Sequence, residues 1–195
     1  MEGISTVFLD RDGVINRLRS DYVLSWDTFE FLPGAIEAIR MLSVAGMRVV
    51  VVTNQRAVAR GLLRPAELTH IHENLRAEIA ASGANIDAVY YCPHDKGVCA
   101  CRKPQVGMFM QAQHDFPDID FHRSVVIGDS LSDMQAGQSL GCRLLLVTET
   151  GCAGRLGEEL IVVQAAGIRL DGTARTLYDA VTQLILSAPM RIVTP

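Results

Sequence analysis

Two aspartates, Asp10 and Asp12, stand one residue apart behind the apolar run Thr6-Val7-Phe8-Leu9 and just ahead of Gly13. A buried strand that ends on two carboxylates invites their repulsion, which is avoided unless a cation or a reaction needs both groups. Two further apolar runs finish the same way: residues 47–53 (MRVVVVT) end on Thr53, and residues 124–128 (SVVIG) stop before Asp129. In open α/β sheets the ligand site gathers at the carboxyl ends of the strands, so these distant positions are expected to share one edge. Asp10, Asp12 and Asp129 together would make a hard, oxygen-rich site suited to Mg²⁺ with retained waters and a phosphate ligand. Any one of them alone reads as readily as a helix or turn cap. Three of them behind apolar runs argue for a site.

A second constellation lies in YCPHDKGVCACRKP, residues 91–104. Cys92 and His94 are two apart, Cys99 and Cys101 are two apart, and a short turn separates the pairs. Three thiolates and an imidazole fill a tetrahedral Zn²⁺ shell of the closed, structural type. The alternative is a set of buried thiols, but a loop containing Gly and Pro gives such thiols little packing logic. Arg102 and Lys103 follow directly, so a zinc-clamped loop would hold two cations in place. The two other cysteines, Cys142 and Cys152, read as a core thiol and a loop thiol.

The elements that must position these residues follow from the hydrophobic pattern. The apolar runs, together with residues 142–148 (CRLLLVT), show no alternation, as expected of strands covered on both faces. LPGAIEAIRMLSVAG predicts a helix between Pro33 and Gly46, and RPAELTHIHENLRAEIAASG another between Pro65 and Gly83. Residues 173–188 predict a terminal amphipathic helix through Leu177, Val181 and Leu184. Strands alternating with helices predict a parallel sheet between helical layers. His70 and His72 lie two apart on a helix, cannot share a face, and are expected at the surface. Trp26 is expected to pack, with the flank of a sugar as the other reading.

Taken in order, FLDRDG, VVVTNQ, CRKP and VIGDSLSD resemble the four successive motifs of the haloacid-dehalogenase (HAD) superfamily of phosphotransferases. The resemblance implies a three-layer Rossmann-like α/β fold with a mostly parallel central sheet. It also implies a nucleophile at Asp10, an acid–base at Asp12, a phosphoryl hydrogen bond from Thr53 and charge neutralisation by Lys103. Mg²⁺ would be held by Asp10, the backbone carbonyl of Asp12, and Asp129, with Asp133 supporting its water shell. The zinc loop at 92–101 and the stretches DTFEFLPG and TNQRAVARG make the chain similar to the heptose-bisphosphate and histidinol-phosphate phosphatases. From them, Thr53, Asn54, Gln55, Arg102 and Lys103 are carried over as substrate contacts. Arg56 departs from the small residue usual there and is expected to point to solvent, with the grip of a second phosphate as the other reading; the stretch after Asn16 carries Arg17 and Arg19, and the resemblance implies that Arg19 to Tyr22 line the substrate.

Composition bounds the rest. The chain has 195 residues, 49% hydrophobic and 21% charged, which fits one domain, 1–195; no long insertion follows either motif, so no large cap is expected. A net charge of −4 argues against a nucleic-acid or membrane-surface binder. MEGIST lacks a basic run and an apolar stretch of signal length, so the expectation is a cytoplasmic protein. The expected activity is Mg-dependent hydrolysis of a phosphorylated sugar, most favourably heptose 1,7-bisphosphate. Histidinol phosphate is the rival substrate, with Asp21 as the acid for its ammonium group, and a non-catalytic phosphometabolite binder is the rival class.

Overall fold

The computed structural model describes residues 3–149 and 158–186. Six strands form one sheet: β1 (Thr6–Leu9), β2 (Arg48–Asn54), β3 (Ala88–Cys92), β4 (Ser124–Gly128), β5 (Arg143–Val147) and β6 (Gly172–Ala174). Their order is β3-β2-β1-β4-β5-β6, and every pairing is parallel. The chain moves from β1 outward to β3, then returns to the other side of β1 with β4. The switch point between β1 and β4 is where such sheets open a crevice.

β-branched residues fill these strands because both faces are covered. All four residues of β1 are buried, as are five consecutive residues of β2 from Val49 to Thr53. Val7, Leu9, Val49 and Val51 meet α1 (Ala35–Val44), α3 (Pro65–Ala81) and α7 (Leu177–Leu186) on one face. Phe8, Val50 and Val52 meet α4 (Gly107–Asp115) and α5 (Leu131–Leu140) on the other. Two short elements complete the set, α2 (Arg56–Ala59) and α6 (Glu158–Ala165). Between β1 and α1 there is only an irregular segment with a short 3-10 turn, Trp26–Thr28, so no cap domain follows the first motif.

The sequence-based elements shift by a few residues. The helix from Pro33 begins at Ala35, after Gly34 adopts φ +78°. The helix from Pro65 begins at that proline, with the Arg64 backbone N–H donating to Glu67 Oε2 (2.9 Å). The segment 173–188 divides: Thr173 and Ala174 belong to β6, and the helix begins only at Leu177. The edge strand β3 was not anticipated, since its residues are only partly buried before Cys92 and carry no long apolar signal. Among the described residues, no helix is long and apolar enough to cross a membrane. Cys152 lies outside the described residues.

Candidate active site

Register brings the expected residues to one edge. Leu9 lies opposite Val51 and Ile127, so Asp10 and Asp129, just past β1 and β4, come to the same edge as Thr53 near the end of β2. The Asp10 backbone N–H still bonds Ile127 O (3.0 Å), which fixes it at the switch point. These side chains line a cavity of about 210 Å³ together with Asp12, Asn54, Gln55 and Lys103.

Lys103 is the centre of charge. It is 3% exposed; its Nζ lies 2.9 Å from Asp10 Oδ1 and 2.5 Å from Asp133 Oδ1, and donates to Val52 O at 2.6 Å. Asn54 clasps its backbone, with Lys103 N–H donating to Asn54 Oδ1 (3.0 Å) and Asn54 Nδ2 donating to Lys103 O (3.2 Å). Asp133 is anchored from the other side, accepting from Ser130 Oγ (2.5 Å) and Ser130 N–H (3.2 Å) as the reciprocal cap of α5. Gly128 makes this approach possible: a Cβ there would lie 2.3 Å from Asp133 Cβ.

One ammonium does not balance three carboxylates. Asp10, Asp129 and Asp133 each place an oxygen within 4.8 Å of the others. Burial first, and then the neighbouring Asp133 and Asp12, raise Asp10 to about 6 although Lys103 opposes the shift. Burial, with Asp10 and Asp133 nearby, also raises Asp129 well above the ordinary carboxylate range. Burial works to lower Lys103, but Asp10 and Asp133 outweigh it and its pKa rises. A hard divalent cation would relieve this excess negative charge, and carboxylate oxygens are the donors Mg²⁺ prefers.

Asp12 is treated differently. Arg11 Nη2 donates to both its oxygens (2.8 Å each), Asn16 Nδ2 to Oδ1 (2.9 Å) and Gln55 Nε2 to Oδ2 (2.7 Å). Burial alone would raise its pKa, but Arg11, Asn16 and Gln55 outweigh that and hold the carboxyl below its usual value. The two neighbouring aspartates thus stand in opposite environments, Asp10 among buried carboxylates and Asp12 among hydrogen-bond donors.

The second cluster gathers beside β3. Cys92 ends that strand opposite Asn54, and the Gln55 N–H bonds Cys92 O (2.8 Å). The three sulfurs lie 3.2, 3.3 and 3.5 Å apart, and His94 Nδ1 lies 3.3 Å from Cys101 Sγ and 3.7 Å from Cys92 Sγ. These are too long for S–S bonds and close to the roughly 3.8 Å of sulfurs around a tetrahedral zinc. The donor set fits zinc with no position left open. Gly107 closes the loop onto α4: its N–H bonds Ala100 O (3.0 Å), and a Cβ there would meet that oxygen at 2.5 Å.

A HAD-hydrolase-like family model matches residues 100–167. The D-glycero-alpha-D-manno-heptose-1,7-bisphosphate 7-phosphatase of Mycobacterium bovis is 36% identical over 183 residues, 93% of this chain and 90% of the relative. The corresponding beta-heptose enzyme of Bordetella bronchiseptica is 42% identical over 147 residues, 74% and 80% of the two chains. The crystal structure of D,D-heptose 1,7-bisphosphate phosphatase from B. bronchiseptica, complexed with magnesium and phosphate, superposes with a TM-score of 0.84 at 35% identity. It covers 95% of this chain and 100% of that one. The chain belongs to the heptose-1,7-bisphosphate phosphatase family of HAD hydrolases.

The structure corrects two expectations, for Arg56 and His72, and places the other singled-out residues. Arg56 does not point freely to solvent: it forms a two-point ion pair with Asp95 of the zinc loop, 2.5 and 3.0 Å. His70 is exposed as expected, but His72 is buried, because it meets Arg11 (3.1 Å). Gln55 lines the cavity, and its Nε2 donates to Asp12 Oδ2 (2.7 Å) and Thr53 Oγ1 (3.0 Å). Arg102 lines an adjoining recess with Asn54, Lys103 and Ser130, and donates to His94 O (3.2 Å). Arg17 pairs with Glu30, half-exposed, while Arg19 pairs with Asp21 and lines the active-site cavity with Tyr22. Trp26 stacks on Phe29 with ring centroids 4.9 Å apart, a packing role, and Cys142 is buried. Arg11 and Asn16 were missed. The type of residue between two aspartates carries no periodic signal, and arginine is so seldom buried that its sequence alone points to the surface.

Proposed function

We propose that this chain removes the 7-phosphate of D-glycero-D-manno-heptose 1,7-bisphosphate through an aspartyl-phosphate on Asp10. The observation that carries the reading is the pairing of an over-charged Asp10–Asp129–Asp133–Lys103 cluster with a separately held Asp12, in one recess at the switch point. The Bordetella enzyme that the fold follows was solved with magnesium and phosphate, the two species this recess suits.

The residues divide the work. An Asp10 oxygen attacks phosphorus, the bond from phosphorus to the sugar oxygen breaks, and Asp12 gives a proton to the departing alkoxide. Water then attacks the phosphoaspartate, Asp12 takes its proton, and Asp10 and inorganic phosphate are released. Lys103 offsets charge on Asp10 and on the phosphoryl oxygens, held in place by Asn54, while the Thr53 hydroxyl donates to one of those oxygens. Asp10, the Asp12 carbonyl and Asp129 would hold magnesium, which when bound stabilises negative charge on the phosphoryl group. Asp133, engaged by Lys103 and Ser130, would support its water shell. Cys92, His94, Cys99 and Cys101 would hold structural zinc and set Arg102 in the adjoining recess, where it contacts the sugar phosphate.

We read residues 1–195 as one catalytic domain working in the cytoplasm on a small phosphorylated sugar; the net charge of −4 supports a partner other than nucleic acid or membrane. The test is kcat/KM with Mg²⁺ for both anomers of the heptose bisphosphate alongside histidinol phosphate. The proposal expects one heptose anomer to exceed histidinol phosphate by at least about tenfold. A preference for histidinol phosphate would overturn the substrate, and slow turnover of all three would overturn the reading of the loops.

A further inference from the structure

The reaction just described leaves Arg11 and His72 without a part. Arg11 is 1% exposed, and its guanidinium cannot shed its charge. Its donors are spent in two directions. Nη2 reaches both oxygens of Asp12 at 2.8 Å, while Nη1 lies 3.1 Å from His72 Nε2 on α3. An arginine only donates, so His72 Nε2 must be the acceptor and the ring proton must sit on Nδ1. Burial first, and the Arg11 charge second, push His72 down to about 3, which keeps the ring neutral and able to accept. The ring is also packed against Tyr91, centroids 5.7 Å apart, and the guanidinium lies 5.9 Å from the Phe29 ring. A buried arginine with one carboxylate and one neutral imidazole is a rigid strut from α3 to the loop after β1.

We propose that Arg11 and His72 are positioning residues for the acid–base step: His72 pins the guanidinium, and the guanidinium fixes the plane of the Asp12 carboxylate. The inference rests on the reading of Asp12 as the acid–base group. Both act through the Asp12 carboxylate, which Arg11 holds and His72 holds by way of Arg11. Their effect falls on proton transfer to the leaving oxygen, which a sugar alkoxide needs and a nitrophenolate scarcely needs.

That difference is the test. kcat/KM is measured for p-nitrophenyl phosphate and for an alkyl phosphate, either the heptose bisphosphate or, if it is not turned over, a hexose 6-phosphate. Asp12→Asn is measured first and is expected to lose far more on the alkyl phosphate. An equal loss on both would remove the acid–base assignment and the proposal with it. His72→Leu, which keeps the bulk and loses the acceptor, is expected to lose about tenfold on the alkyl phosphate and under about twofold on the aryl phosphate. His72→Gln, whose amide oxygen can accept from Arg11, is expected to restore most of the loss. If His72→Leu does not fold, Arg11→Lys keeps the charge without the fork and is expected to show the same split. Equal losses on both substrates in a folded variant, or no loss at all, would overturn the proposal.

Discussion

At the scale of single residues, the site separates two like groups by what surrounds them. Asp10 faces Asp129 and Asp133 with the Lys103 ammonium among them, and burial raises it to about 6; Asp12 is wrapped in donors and held below its usual value. Replacing Asp10 with Asn removes the nucleophile while keeping its shape. It should cut kcat by at least about a thousandfold and abolish acid-trapped phosphoenzyme, with an unchanged thermal midpoint in Mg²⁺-free buffer or a small rise, since it removes one buried charge. Incorporation of labelled phosphate into the variant would sink the assignment. Asp10, Thr53 and Asp129 were legible in the sequence because each closes an unbroken apolar run, and Asp12 because it stands beside Asp10 in the first motif. Arg11, Asn16 and His72 were not, because their roles depend on contacts across the loop after β1 and on α3. The motif names Asp12, but only the fold shows what holds it.

At the scale of elements, the zinc loop does more than join β3 to α4. It starts at Cys92, beside Asn54 of β2, and ends at Lys103, whose backbone Asn54 clasps. Asp95 within it grips Arg56 of α2, and Arg102 returns to His94 O. The freshly purified protein should contain about one equivalent of zinc. Removing it should raise amide exchange across 92–103, lower the thermal midpoint and reduce kcat/KM, while Mg²⁺ affinity changes little because Asp10 and Asp129 stand on other strands. Loss of Mg²⁺ binding on zinc removal would show that the two centres are not independent. The four grouped side chains, Cys92, His94, Cys99 and Cys101, were readable from spacing alone, since a tetrahedral shell needs only paired donors and a turn. The edge strand that launches them was not, because a half-exposed strand of this length lacks the continuous apolar run that marked β2 and β4.

At the scale of the whole molecule, the parallel sheet collects the site at its switch point, and the buried charges gathered there make stability depend on pH. His72 is depressed from 6.5 to about 3, chiefly by burial. The unfolded chain therefore takes up a proton below about pH 6.5 that the folded chain refuses, so this contribution is lost as pH falls from there towards about 3. Asp10 has the opposite sign: raised to about 6, it favours the protonated folded state as pH falls through that value. The urea midpoint of the unaltered protein should accordingly fall more steeply than that of His72→Gln between about pH 7 and about pH 5, since the Asp10 contribution is common to both. Parallel slopes would mean that the ring is not held neutral. The most direct test of the central claim is ³¹P NMR of the Mg²⁺-dependent reaction with D-glycero-D-manno-heptose 1,7-bisphosphate. The account predicts loss of the 7-phosphate resonance, growth of inorganic phosphate and retention of the anomeric 1-phosphate. Release of the 1-phosphate first, or a spectrum unchanged in folded, metal-replete protein, would contradict it.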